Sequence, residues 1–126
     1  MSNPYNEIFE TIIALSRKQG YATFDYLPDD RQGYPFVYIG TQQNVDIETK
    51  DRTLGKTHIQ IDVYAEHNRR SEVMTIMADL QTTVSNHQRT ESFIYAVTHG
   101  ESQIIGDATS DIPLWHGILE LDIKYY

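Results

Sequence analysis

The tripeptide Gly55-Lys56-Thr57, inside the stretch DRTLGKTHIQIDVYAEH from Asp51 to His67, is how a phosphate-cradling loop ends just before its helix begins. Such a loop needs a glycine five positions before its second glycine, so that backbone N–H groups can curl around phosphates, and a helix N-terminus directly after it. Position 50 is Lys50, and the residues after Thr57, His58-Ile59-Gln60-Ile61-Asp62-Val63-Tyr64-Ala65, alternate polar with apolar. That alternation is a strand. Gly55 is therefore expected to be the return turn of a long charged hairpin, and Lys56, if it meets anything, to meet a protein carboxylate.

Two further constellations could carry chemistry. Pro28-Asp29 followed by Glu48-Thr49-Lys50 has the spacing of restriction-type magnesium nucleases, in which Asp29 and Glu48 would hold the metal and Lys50 would steady the attacking water or the scissile phosphate. In those enzymes the glutamate and lysine sit on a buried central strand, whereas here they lead into Asp51-Arg52-Thr53-Leu54-Gly55, which reads as a solvated loop. His58 and Asp62 lie four apart on one strand and share a face, but roughly 13 Å of strand rise separates them, too far for one metal ion. His67, His87, His99 and His116 are scattered beside turns and strand ends and read as surface or rim residues. Ser71, Ser92, Ser102 and Ser110 fall at predicted caps or loops, none within a Gly-x-Ser-x-Gly turn. No catalytic residue, cofactor site or metal site is assigned.

Composition bounds the partners. The chain has 126 residues, enough for one domain (1–126) that buries roughly two-thirds of its unfolded surface. It has no cysteine, hence no disulfide framework and no thiolate nucleophile. No apolar run approaches the ~20 residues that span a membrane, and Met1-Ser2-Asn3-Pro4 lacks the basic and apolar regions of a signal peptide, so the expectation is a soluble, unexported protein. Eighteen acidic residues against ten basic give a formal charge of −8, which disfavours general attraction to phosphate backbones. Nine tyrosines supply large side chains with polar tips, a type enriched both in strands and at protein interfaces.

The elements that must position these residues are legible from pattern. Asn3 is a good N-cap, Pro4 suits the first helical position, Ile8, Ile12 and Leu15 share a face with Phe9 beside them, Arg17 and Lys18 occupy the last turn and Gly20 can stop it, which predicts a helix over about 4–19. After an extended piece at Tyr21 to Tyr26 and the turn formers Leu27 to Gly33, Pro35 to Gly40 reads as a strand continuing to about Ile47. A polar loop is predicted at Glu48 to Lys56 and a strand at Thr57 to Glu66, the two strands forming a hairpin with Ile59, Ile61, Val63 and Ala65 facing one way and His58, Gln60, Asp62 and Tyr64 the other. A second helix over about 69–86, capped by Asn68 or Ser71, carries Val73, Ile76, Met77, Leu80 and Val84 on one stripe. Ser92 to His99 is extended, Gln103 to Ala108 a brief strand, and Trp115 to Tyr126 a long one. The order α-β-β-α-β-β, with two helical stripes to cover and one apolar sheet face, predicts a two-layer α+β domain: an antiparallel or mixed sheet with both helices packed on one face.

This layout resembles a known family. Tyr34-Pro35-Phe36-Val37-Tyr38-Ile39-Gly40, the polar hairpin, His58-Ile59-Gln60-Ile61-Asp62-Val63-Tyr64, the helix opening Asn68-Arg69-Arg70-Ser71-Glu72-Val73, and the closing Trp115-His116-Gly117-Ile118-Leu119-Glu120-Leu121-Asp122-Ile123-Lys124-Tyr125-Tyr126 are similar to the tail terminator (tail completion, or tail-to-head joining) proteins of long-tailed bacteriophages, particularly those of Gram-positive bacteria. The resemblance implies a non-enzymatic virion protein that forms a hexameric ring on the last ring of the tail tube, stops tube growth and offers a joint to the head connector. Its partners would be further copies of itself, in a ring that can close on the tube even where the chain is a monomer in solution, the major tail tube protein and a head connector or head-completion protein, with no cofactor; charge and hydropathy add the expectation of no nucleic acid and no membrane. The hairpin residues Asp46, Glu48, Lys50, Asp51, Arg52 and Lys56, of both signs, are the candidate interface. The magnesium nuclease, a head-completion protein and a small adaptor subunit stand as alternatives.

Overall fold

Helix α1 (Pro4–Lys18) starts as its sequence predicts: the Asn3 side chain accepts from the amides of Tyr5 and Asn6 at 3.0 and 3.2 Å, Pro4 occupies the first helical position, and Gly20 takes φ +94° just past the last turn. Its buried face is Ile8, Ile12, Ile13 and Ser16, with Leu15 only packed against the core's margin. The computed structural model describes residues 3–29, 31–47, 54–108 and 111–126. A two-residue strand, β1 (Thr23–Phe24), precedes β2 (Phe36–Ile47) and β3 (Leu54–Glu66), which pair antiparallel as a hairpin. The extended piece at Tyr21 to Tyr26 thus shrinks to β1, which pairs parallel with β2 at Val37 and Tyr38.

A 3-10 turn (His67–Arg69) runs into helix α2 (Arg70–His87), and neither Asn68 nor Ser71 caps it. A 3-10 turn tightening the start of a helix is a common alternative to a side-chain cap. All five predicted stripe residues, Val73, Ile76, Met77, Leu80 and Val84, are buried. Beyond α2 the expectation of two short extended segments gives way to one strand, β4 (Tyr95–Asp107), ahead of β5 (Leu114–Tyr125). Gly100, which interrupts the pattern, faces α2: a Cβ at that position would lie 2.6 Å from the side-chain amide nitrogen of Gln81, the movable end of that residue.

The sheet has the order β1-β2-β3-β5-β4, mixed because of β1 and antiparallel elsewhere. Ile59, Ile61, Val63 and Ala65 of β3 and Leu119, Leu121 and Ile123 of β5 form one buried cluster with the apolar residues of both helices. The architecture is α+β, helices against one sheet face. Gly117 of β5 allows the approach, since a Cβ there would sit 2.5 Å from Val73 Cγ1 and 2.9 Å from Met77 Sδ. No helix among the described residues is long and apolar enough to cross a membrane.

Candidate functional site

Of the predicted interface residues, the structure describes Asp46 and Lys56, which lie where the two hairpin strands approach their loop. Asp46, next to last in β2, lies beside helix α1: the Tyr5 hydroxyl donates to its Oδ1, and the Tyr5 ring stands edge-on to Tyr125 at 5.4 Å. Burial first, and the hydrogen bond to Asp46 second, push the Tyr5 phenol up. Gly55 lies within β3, opposite Asp46 and Tyr125, not in a turn. The reason is crowding: a Cβ there would come within 2.5 Å of both the Tyr125 ring and the Tyr5 hydroxyl. Leu54 and Lys56 are likewise strand residues, so the predicted loop at 48–56 yields its last three positions to β3. Glu48, Lys50, Asp51 and Arg52 lie outside the described residues.

Lys56 is on the uncovered face, opposite Val45 on one side and Lys124 on the other. With Gln43, Val45, His58, Thr98 and Asp122 it lines an open hollow of about 470 Å³. Asp29 sits far along the chain in an exposed turn and pairs with Arg31 at 2.8 Å, which holds its carboxyl below the ordinary range. Among the described residues no three His, Asp or Glu side chains converge as a metal site would require.

The same face carries pairs that spacing along one strand could not reveal. His58 reaches Asp122 through Nδ1 at 2.7 Å and Glu120 through Nε2 at 3.2 Å, both from β5. The Asp122 hydrogen bond chiefly, with Glu120 adding to it against the opposing effect of burial, raises the His58 pKa above its usual value. Asp62 is bonded to His116 at 2.7 Å, and to Gln60 at 3.0 Å. Asp62 lies on the predicted polar face, but with side chains only 4% and 16% exposed, Asp62 and His116 are buried there instead of solvated or at a rim. An aromatic row covers this pair: Phe24 beside Phe36, Phe36 stacked on Tyr64 at 5.1 Å, and Tyr64 stacked on His116 at 4.3 Å. Burial, aided by Asp62, lifts the Tyr64 phenol to about 12. The alternation placed His58, Asp62, Glu120 and Asp122 on even positions; only the cross-strand register, His58 opposite Asp122 and Gln60 opposite Glu120, brings them together.

Fold and surface together define a small α+β protein whose sheet carries a polar, half-aromatic face. Residues 12–126 match the family described as "Tail completion protein gp17". The chain belongs to that family, and is a phage tail completion protein with a structural role in the virion. A chain in the structure titled "Virion of native gene transfer agent (GTA) particle" has the same fold, with TM-score 0.63 and 11% identity over 96% of this chain and 94% of that one. A looser likeness, TM-score 0.44 at 15% identity over 98% of this chain and 73% of the other, is to the type 4 fimbrial biogenesis protein PilO from Pseudomonas aeruginosa. No curated protein sequence matches.

Proposed function

We propose that this chain, acting as one unit over 1–126, caps the tail tube of a long-tailed bacteriophage of Gram-positive bacteria as a hexameric ring, ends tube polymerisation and forms the joint to the head connector. The observation that carries the proposal is the tail completion family match over 12–126. The work is done by binding, with no chemical step. In a ring each subunit offers one patch to a different patch on its neighbour, and closure at six is set by the rotation between them. One side of the ring matches the end of the tube, and the other lacks the surface on which a further tube subunit would dock. The hairpin residues Asp46, Glu48, Lys50, Asp51, Arg52 and Lys56 are the contacts assigned to the tube or the neighbouring subunit. Asp46 and Lys56 stand at its base, where Tyr5, Tyr125 and Gly55 tie the hairpin to α1 and β5.

The test is tube length. Added to polymerising tail tube protein, the wild-type chain shortens the tubes seen by electron microscopy and leaves a ring at one end. A variant with Lys50, Arg52 and Lys56 all changed to Glu no longer does so. Tubes of unchanged length with the wild-type chain would sink the proposal.

A further inference from the structure

Both lateral edges of the sheet are open where a neighbour could add strands. β4 pairs with β5 on one side, and among the described residues no strand lies beyond it. β1 covers β2 only at Val37 and Tyr38, so the outer edge from Gly40 to Asp46 has no strand against it among the described residues. Such edges present rows of backbone donors and acceptors, and proteins that stay monomeric blunt them with lysine, proline or very short strands. Here β1 is a two-residue strand and each edge strand carries a β-bulge, between Ile39 and Thr41 and between Val97 and His99, but Gly40-Thr41-Gln42-Gln43-Asn44-Val45 and Val97 to Gly106 contain no lysine and no proline. Val45 is 54% exposed and Ile105 38% exposed on these edges.

We infer that the β4 edge of one copy pairs antiparallel with the Gly40–Asp46 edge of β2 in the next, so that the sheet runs on from subunit to subunit around the ring. The inference rests on the proposed ring. Strand direction favours it: β3 runs opposite to β2, β5 opposite to β3, and β4 opposite to β5, so β4 and β2 point in opposite senses. A neighbour related by rotation about an axis along the strands keeps its β2 direction and meets β4 antiparallel, the more stable ladder.

Charge selects the second copy's β2 over its β4. In β4 against β4 around a two-fold axis, the centred register sets Glu101 against its own copy, with Glu120 beside each on β5. Like charges directly opposite each other are destabilising. Gly40 to Val45 is instead an uncharged run in a chain of net charge −8, and it receives His99 and Glu101 without a facing carboxylate.

The chain has no cysteine, so introduced cysteines report contacts cleanly. Thr41→Cys or Gln43→Cys is combined in one chain with His99→Cys, Glu101→Cys or Gln103→Cys, all on the uncovered sheet face. Within one subunit the two edges are three strand spacings, roughly 14 Å, apart, too far to be bridged. Concentrated protein is oxidised mildly and run without reductant, with unoxidised protein imaged in parallel. At least one combination should give a covalent ladder ending at six copies, and each single-cysteine variant should stay monomeric. Dimers from Glu101→Cys alone, with no ladder from any combination, would mean two-fold β4 pairing and overturn the inference. Rings in the micrographs with no cross-link from any combination would overturn the edge pairing and leave the ring standing. Neither rings nor ladders, both in the protein alone and with tail tube protein present, would remove both.

Discussion

Gly55 is held by its neighbours on β5 and α1. Any side chain would press on the fully buried Tyr125 ring, and Tyr125 cannot yield without disturbing Tyr5 and Phe93, which stand edge-on to it at 5.4 and 5.6 Å. Gly55→Ala is therefore expected to cost about 1–3 kcal/mol, the usual range for an overpacked site, read as a lower midpoint in urea. A substitution at a solvated turn would be nearly neutral, which separates the two descriptions of this glycine. His58 makes a prediction of opposite kind. Its folded pKa is raised by Asp122 and Glu120, so its contribution is fully present below the unfolded value of about 6.5 and is lost as pH rises through the folded value. The melting temperature should fall on going from pH 6 to pH 8, and His58→Gln should flatten that decline. The effect is modest because the His58 ring is 39% exposed. An NMR titration midpoint for His58 at or below 6.5 would contradict the assignment.

Helix α2 and strand β5 meet at Gly117, where the helix lies close because nothing projects from the strand. Gly117→Ala drives a methyl group into Val73 Cγ1, and about 1–3 kcal/mol of destabilisation is expected. Combining it with Val73→Ala should cost less than the two single changes added together, and additivity within about 0.3–0.5 kcal/mol would show that the two sites do not touch. The elements themselves were largely legible in sequence. The helical stripe at Val73, Ile76, Met77, Leu80 and Val84 and the alternation along β3 each arise from a single repeating contact with the core. What was not legible is that the two extended segments at Ser92 to His99 and Gln103 to Ala108 are one strand, because an edge strand buries little of either face: Thr98 to Glu101 are polar or glycine, and the pairing with β5 that makes them a strand is a contact with residues some twenty positions away. The caps divide the same way. Asn3 bonds amides two and three residues on, whereas the start of α2 is settled by a preceding 3-10 turn.

For the whole molecule, net charge governs association. Copies carrying −8 each repel, and salt screens exposed charges over about 8–10 Å at physiological ionic strength. Raising salt from about 50 to 300 mM should therefore strengthen self-association, measured by sedimentation. A nucleic-acid-binding protein would respond in reverse.

The amino-acid order alone settles both helices, the β2–β3 hairpin and β5, and the faces they bury, because helix and strand periodicities report one local relation, side chain to core, repeated along the chain. It also places His58, Asp62, Glu120 and Asp122 on the polar side of their strands. Tertiary contacts were needed to establish that His58 lies between Glu120 and Asp122, that Asp62 is buried under His116 and Tyr64, that Gly55 is a point of close approach, and that β2 and β4 end up at opposite open edges of one sheet. Those facts depend on strand order and register, which are set by pairing between residues far apart in sequence, and a one-residue slip in register would dissolve every one of the pairs.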